Sequence, residues 1–257
     1  MQWLTIYNKE LLESARNFKW IWVPLVFILL SIIDPLSTYY LPQILEATGG
    51  LPDGATIDIP TPRPSDVLMM SISQLNMLGV LVIALITMGT ISGERKSGVA
   101  ELVLVKPIPY HCYTTAKWAA HMTLILTSIL LGLLASWYYV NLLFDPLSFS
   151  GMLTAFLFYS LWIMLIVSIS LFMNALTKSP GLVLFLTIST VILMNLLTSV
   201  FSHLLEWSPA MITSYLPGIL QNGEMESNLM FTSLITAVVI IALLFGATYT
   251  LKHKEIA

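Results

Sequence analysis

The sharpest chemical signal in this 257-residue sequence is a pair of glycines at the spacing of a phosphate-binding loop. Gly93 and Gly98 fit a loop that holds phosphates with backbone N–H groups. That loop also needs a lysine followed by serine or threonine, but Val99 and Ala100 occupy those positions. We therefore exclude an ATP site here. No His-Glu-x-x-His or Gly-x-Ser-x-Gly motif is present, so hydrolytic chemistry has no visible metal site or nucleophile.

The remaining metal-ligating residue types are dispersed along the chain. The four histidines are scattered along the chain, and the single cysteine, Cys112, directly follows one of them, His111. A scattered set of this kind does not form a ligand cluster, and one cysteine excludes an intramolecular disulfide. We predict no metal, no cofactor and no enzymatic activity in this chain.

The composition points to lipid as the main surroundings. Hydrophobic residues make up 57% of the chain and charged residues only 10%, with a mean hydropathy of +0.85. Soluble domains carry about 25% charged residues because their surface faces water. The net charge of -3 is mild and gives no reason to expect a nucleic-acid partner.

Six apolar stretches are long enough to cross a bilayer, which takes roughly 20 residues as a helix. The last five contain no Asp, Glu, Lys or Arg. Because backbone groups in lipid need partners within the chain, we predict an all-α membrane protein with six transmembrane helices. The predicted spans are about 20–40, 67–91, 118–143, 152–176, 181–202 and 229–251.

The basic residues predict which side of the membrane each loop occupies. Ten of the eleven lysines and arginines fall in the two termini and the loops 92–117 and 177–180, leaving only Arg63 on the other side. Basic residues near span ends stay cytoplasmic, so we place both termini in the cytoplasm. Residues 1–19 have aromatic and apolar side chains on one helical face, which predicts an amphipathic helix at the inner interface ahead of a permease domain at 20–257.

Three connecting segments complete the organisation. The outer segments are 41–66, rich in proline and glycine, and 203–228, which is too apolar for a free loop and predicts short interfacial helices with Trp207 and Tyr215 as anchors. The inner segment 92–117 begins with charged residues and continues in a short helical run at Glu101–Val105. Pro107 and Pro109 then interrupt it.

Three polar residues are candidates for a translocation path. Asp34 costs about 2.5–3.5 kcal/mol at the centre of a span, so it either lines a path or ends the first helix before Pro35. Asn76 and Asn195 either contact a substrate or make interhelical hydrogen bonds. Asn174 has the same two interpretations. The stripe of Ser128, Gly132 and Ser136 in the third span predicts close helix packing.

The inner segment 92–117 also has two interpretations. A short helix held outside the membrane between two spans is suited to docking a cytoplasmic partner. The same charges would, however, be present simply to fix the orientation of the chain.

At this segment the sequence resembles the permease subunits of ATP-binding-cassette transporters of the second exporter type. In that family a Gly-Glu-Arg-x-x-Gly-x-x-Glu-Leu-x-Leu stretch follows the second span, a proline comes soon after, and a lysine opens the third span. Val99, where threonine is common, and Tyr110, where a basic residue is common, depart from the pattern. The matching residues are Gly93, Glu94, Arg95, Gly98, Glu101, Leu102, Leu104, Pro107 and Lys117.

The resemblance implies a permease subunit of an exporter in a bacterial cytoplasmic membrane. It implies a separate cytoplasmic ATPase that holds the ATP and Mg, and a second permease chain, identical or related, that completes the path within the lipid. The residues implied in docking the ATPase are Gly93, Glu94, Arg95, Lys96, Gly98, Glu101, Leu102, Leu104 and Pro107.

A second hypothesis is a membrane regulatory or immunity protein that binds a cytoplasmic partner and transports nothing. An adjacent gene for a cassette ATPase would distinguish the two hypotheses. The lack of charge in the spans favours an amphiphile, a lipid-linked molecule or a peptide as the substrate over a small ion.

Overall fold

The computed structural model describes residues 2–47, 62–98, 108–223 and 225–254, and every regular element in these ranges is helical. They include one π-helical turn, Leu75–Gly79, and one short 3₁₀ turn, Pro209–Met211. The helices are α1 (Gln2–Arg16), α2 (Lys19–Ala47), α3 (Pro64–Gln74), α4 (Val80–Thr87), α5 (Ser92–Lys96), α6 (Tyr110–Leu143), α7 (Phe149–Leu176), α8 (Pro180–Val200), α9 (Ile212–Asn222) and α10 (Ser227–Lys254).

The prediction of six membrane-spanning helices is confirmed. The described residues contain six helical segments that are long and apolar enough to cross a bilayer. The second is composite, because α3, the π-helical turn, α4 and α5 follow one another from Pro64 to Lys96. Each of the six segments begins or ends within three residues of a predicted limit. The third spanning segment, α6, begins at Tyr110, so residues 110–117 of the predicted inner loop are helical.

The first span is longer than predicted, and the idea that Asp34 ends it is wrong. Helix α2 continues through Pro35 to Ala47. Pro35 has no N–H to bond the carbonyl of Ser31, and the hydroxyl of Ser71 donates to that carbonyl at 2.9 Å instead. A side chain from α3 thus satisfies the backbone group that the proline leaves free, which is how membrane helices tolerate proline.

The small-residue stripe of the third span packs closely against α2. A Cβ atom added at Gly132 would lie 2.7 Å from the Ser31 hydroxyl and 2.8 Å from the Phe27 carbonyl. The Ser136 hydroxyl is 2.8 Å from that of Ser71 on α3. The absence of larger side chains therefore lets three helices approach one another, as the stripe predicted.

Helix α7 lies at the centre of the bundle and packs along α10. Helix α9 contacts α7 as well, and its Ile219 carbonyl lies close to Gly151 in the first turn of α7. Ile6, Ile91, Tyr113, Ala175 and Leu251 form one apolar cluster. Because this cluster joins α1 to the ends of α7 and α10, it defines one end of the bundle, here called the terminal end.

Several predictions concern the connecting segments. Helix α1 is present, whereas its position at the membrane interface stays a prediction. The short helix α9 is also present, but Tyr215 is 8% exposed and donates to the Glu206 carbonyl at 3.0 Å. It therefore packs inside the protein. The predicted helix at Glu101–Val105 and residues 48–61 of the outer segment lie outside the described residues.

Candidate functional site

Helix α5 is held in place by Asn174 near the end of α7. The side-chain oxygen of Asn174 accepts from the backbone N–H groups of Ile91 at 3.1 Å and Ser92 at 3.0 Å. Its amide nitrogen donates to the carbonyls of Thr87 and Ser170, both at 2.9 Å. One fully buried side chain thus satisfies N–H groups at the start of α5 and links them to α4 and α7. Asn174 therefore makes interhelical hydrogen bonds, the second of the two interpretations that the sequence left open.

The other end of α5 also contacts α7. The guanidinium of Arg95 donates to the Ala175 carbonyl at 3.0 Å, which places a positive charge at the carbonyl end of α7. Gly98 then ends the turn with φ of 75°, a backbone conformation that favours glycine. The backbone conformation alone therefore explains a glycine at position 98, without any contact to a partner protein.

Glu94 of α5 enters a group of charged side chains from three helices, here called the ionic cluster. Its Oε1 lies 2.8 Å from the Lys9 ammonium and 3.0 Å from that of Lys117. Lys117 of α6 also donates to Glu10 Oε1 at 2.7 Å, and Lys9 lies 3.2 Å from Glu10 and 3.5 Å from Glu13. The cluster consists of Lys9, Glu10, Glu13, Glu94 and Lys117.

Burial divides the ionic cluster into an inner pair and an outer rim. The Lys117 side chain is 1% exposed and that of Glu10 is 8% exposed, whereas Lys9 and Glu13 are about half exposed. The Tyr113 hydroxyl donates to the second oxygen of Glu94, so both oxygens of this carboxylate have partners. A buried charge is tolerated when it is paired and hydrogen-bonded, and each inner member of the cluster meets this condition.

The charge of Lys9 is stabilised by its surroundings. Partial burial acts to lower the pKa of this ammonium, but its hydrogen bond to Glu94 and the negative charges of Glu10 and Glu94 outweigh burial. The pKa of Lys9 is therefore raised above its ordinary value. Lys9 thus stays cationic at neutral pH and forms ion pairs with the carboxylates of Glu10, Glu13 and Glu94.

Further contacts fix α1 to α6 beside the ionic cluster. The Trp3 indole donates to the Thr115 hydroxyl at 3.0 Å, and the Tyr7 and Thr123 hydroxyls are 2.9 Å apart. The rings of Trp3 and Tyr7 stack with centroids 5.3 Å apart. Helix α1 is consequently joined to the start of the third span by aromatic packing, hydrogen bonds and ion pairs.

The predicted docking residues divide into two groups. Glu94 and Arg95 bond within the chain, as described above. Lys96 is exposed, and Gly93 faces open space, since a Cβ added there would meet nothing within 4 Å. Of the predicted set, Glu101, Leu102, Leu104 and Pro107 lie outside the described residues.

A cavity of about 680 Å³, here called the larger cavity, brings Asn76 and Asn195 together. Asn76 lies on the π-helical turn and Asn195 on α8, and Thr213 and Ser214 of α9 complete the lining. Asn76 accepts from the Trp162 indole of α7 at 2.7 Å, whereas Asn195 donates to the Val191 carbonyl of its own helix at 3.0 Å. Within the described ranges, Asn76 makes the interhelical hydrogen bond that was the alternative for both residues, and Asn195 does not.

Asp34 lines a separate cavity of about 450 Å³, here called the smaller cavity, together with Asp66. Met69, Ser73 and Met77 of the second span line both cavities, so the two are neighbours. The Asp34 Oδ2 is buried and has no hydrogen-bond partner among the described residues. The structure thus places the three predicted path residues on two adjoining cavities.

Sequence reasoning did not select Glu10 for the site, and it considered Asn174 only as a polar residue of a span. It used Lys117 only as a cytoplasmic charge and as a motif match. One signal for Lys117 was present. Lys117 lies three helical turns before Ser128 and thus on the same face as the small-residue stripe, which predicts burial. A buried lysine requires an acidic partner. No local pattern identifies Glu10 as that partner, because 107 positions separate the two residues.

In the part of the chain that the structure describes, six spanning segments, with α7 buried among the other five, define a multi-pass membrane protein. The sequence profile of the ABC-2 family transporter proteins matches residues 4–255. The chain therefore belongs to the ABC-2 transporter family and is a permease, the membrane component of such a transporter. It is also similar to the uncharacterized transmembrane protein YxlG of Bacillus subtilis (strain 168), with 31% identity over 221 residues, which is 86% of each chain.

Proposed function

We propose that this permease works in an ATP-driven exporter of a bacterial cytoplasmic membrane, with both of its termini in the cytoplasm. A separate cytoplasmic ATPase, which binds ATP and Mg, docks on segment 92–117. A second permease chain, identical or related, completes the translocation path. The observation that carries this proposal is the fixation of α5, whose side chains bond to α1, α6 and α7 at once.

The two groups of docking residues then have different tasks. Gly93 and Lys96 face outward and contact the ATPase. The predicted docking residues Glu101, Leu102, Leu104 and Pro107 are proposed to contact it as well. Glu94 and Arg95 face inward and hold α5 to the bundle. A movement of α5 on ATP binding is thereby transmitted to three helices. The ATPase drives transport only if it binds one arrangement of these helices more tightly than the other.

The two adjoining cavities supply the path in this proposal. Asn76 and Asn195 line its larger part, and Asp34 lines the smaller part. Both cavities include residues of the second span, which leads directly into α5. A displacement of α5 therefore acts on the helix that forms a wall of each cavity.

The test is purification of the chain from its native membrane, which is expected to retain a cassette ATPase. Lys96→Glu is expected to release that ATPase, because it reverses an exposed charge on the docking face. Glu94→Gln is expected to retain the ATPase but to reduce the substrate exported per ATP hydrolysed. Lys178→Glu, an exposed charge reversal on another loop, is the matched control.

Two results would contradict the proposal. One is a wild-type preparation that contains no ATPase and shows no ATP-dependent transport after reconstitution with one. The other is a variant with both Glu94 and Glu101 replaced that keeps full coupled transport, since the docking assignment would then be wrong.

A further inference from the structure

The amide of Asn76 has a fixed orientation. The indole N–H of Trp162 can only donate, so the atom that lies 2.7 Å from it is the Asn76 oxygen. The amide NH₂ of Asn76 has no hydrogen-bond partner among the described residues. Because Trp162 is fully buried, it holds Asn76 with this NH₂ group left over as a donor.

Asn195 presents the opposite polarity. The Val191 carbonyl can only accept, so the Asn195 atom at 3.0 Å is its NH₂ nitrogen. The Asn195 oxygen has no partner within the described ranges and remains an acceptor. The larger cavity thus has a spare donor on the second span and a spare acceptor on α8.

The π-helical turn Leu75–Gly79 supports a binding role for this place. Such turns are rare, and they often occur at functional sites. Asn76 and Met77 lie on this turn and line the cavity, where the flexible thioether of Met77 adapts to ligands of irregular shape. At about 680 Å³ the cavity lies within the range of about 300–1,000 Å³ that is usual for ligand sites.

The remaining lining defines what kind of molecule fits. Apart from its amides and hydroxyls, the described lining is aliphatic or methionine, and it includes no charged side chain. A charged ligand would lose water without gaining an opposite charge. An uncharged group that offers one carbonyl oxygen and one N–H would satisfy both asparagines.

We propose that the larger cavity binds an uncharged amphiphile that carries a secondary amide, such as an acylated peptide amide. This inference rests on the proposed function, since it names the substrate class of the same path. Asn76 donates to the amide carbonyl, Asn195 accepts from the amide N–H, and the aliphatic lining contacts the apolar part. The adjoining Asp34 and Asp66 would instead suit a cationic amphiphile, which the test includes.

The test is equilibrium binding to the full chain in lipid nanodiscs, which needs no ATPase. Three probes share one octyl chain and one uncharged fluorophore. In the first a single secondary amide joins the two parts, in the second an ester without an N–H replaces that amide, and in the third a basic amine replaces it. The amide is expected to bind about five- to tenfold more tightly than either analogue, the usual effect of one unmatched hydrogen bond.

Three variants locate the binding. Asn76→Leu and Asn195→Leu are each expected to weaken amide binding about five- to tenfold, whereas Thr190→Val, on α8 but outside the lining, is expected to leave it unchanged. Asn76→Leu also leaves the Trp162 indole unpaired and so affects folding. Among the described residues Asn195 bonds only within its own helix, so Asn195→Leu remains informative if Asn76→Leu does not fold.

Equal binding of the amide and ester, tighter binding of the amine, or wild-type affinity in Asn195→Leu would each overturn the inference. These results leave the proposed function intact if the ATPase still copurifies and drives export. Conversely, normal amide binding by a chain that never couples to an ATPase would contradict the proposed function and retain the site.

Discussion

The second span carries two polar regions of opposite character. At its terminal end Glu94 belongs to the ionic cluster, in which each buried charge has a partner within the chain. At the π-helical turn Asn76 lines the larger cavity, whose described lining has no charge and whose amides retain unused hydrogen-bonding groups. The buried charges of the ionic cluster thus find their partners within the protein, whereas Asn76 and Asn195 each use only part of their hydrogen-bonding capacity.

This difference separates structural from binding roles. A buried ion pair costs desolvation, and losing one partner leaves a charge that nothing else compensates. The ionic cluster therefore makes a rigid connection among α1, α5 and α6. An amide with one unused group costs far less, particularly beside a cavity, and so remains available to a ligand. We expect substitutions to reduce stability strongly in the first region and weakly in the second.

The largest effect is expected from Lys117→Met. It leaves Glu10 and Glu94 without their buried cation, and breaking a buried pair of this kind costs about 3–5 kcal/mol. The measurement is the free energy of unfolding by denaturant in detergent. Lys178→Met removes an exposed lysine and is expected to change stability by less than about 0.5 kcal/mol. A Lys117→Met chain as stable as this control would contradict the internal role of the cluster.

A paired substitution compares the two regions through the same residue type. Asn174→Ala leaves the N–H groups of Ile91 and Ser92 without their acceptor. We expect this loss to lower the free energy of unfolding by about 2–3 kcal/mol. Asn195→Ala removes one bond within its own helix, and about 0.6 kcal/mol is typical of side-chain bonds in membranes. The two unfolding free energies, measured in one detergent, give the difference. Equal losses would show that the cavity amide is as structural as the buried one.

The spans were predictable because five of them are long uncharged runs and the first contains a single charged residue, Asp34. Backbone groups in lipid need partners within the chain, which favours helices in such runs. The path of the first helix beyond Pro35 was not, because the group that replaces the missing bond is Ser71, on another helix. For the same reason Glu94 was read as a partner-facing charge. The sequence shows that a charge exists near a span end, but its partners Lys9 and Lys117 become neighbours only in the folded bundle.

The candidate cavity was foreseen in part. Asn76 and Asn195 stood out because amides are uncommon in apolar spans, and the structure places both on one cavity. Their different hydrogen bonds were not predictable, because they depend on Trp162 and on the π-helical turn. The sequence therefore indicates which residues of the spans are polar. The packing of the helices decides which of these residues retain a hydrogen-bonding group without a partner.

The smallest effect is expected from Lys9→Met, at the exposed rim of the ionic cluster. Because 47% of this side chain is exposed, its ion pairs are worth about 0–1 kcal/mol, and added salt reduces that value.

The pKa of Lys9 is raised in the folded chain. The contribution of Lys9 to stability is therefore complete below the unfolded pKa of about 10.4 and is lost as pH rises through the pKa of the folded state. The difference in unfolding free energy between wild type and Lys9→Met should therefore be constant from about pH 7 to 9 and decline only in stronger base. A difference that instead falls between pH 7 and 9, or that matches the loss in Lys117→Met, would place Lys9 in the buried part of the cluster and remove the distinction between its core and its rim.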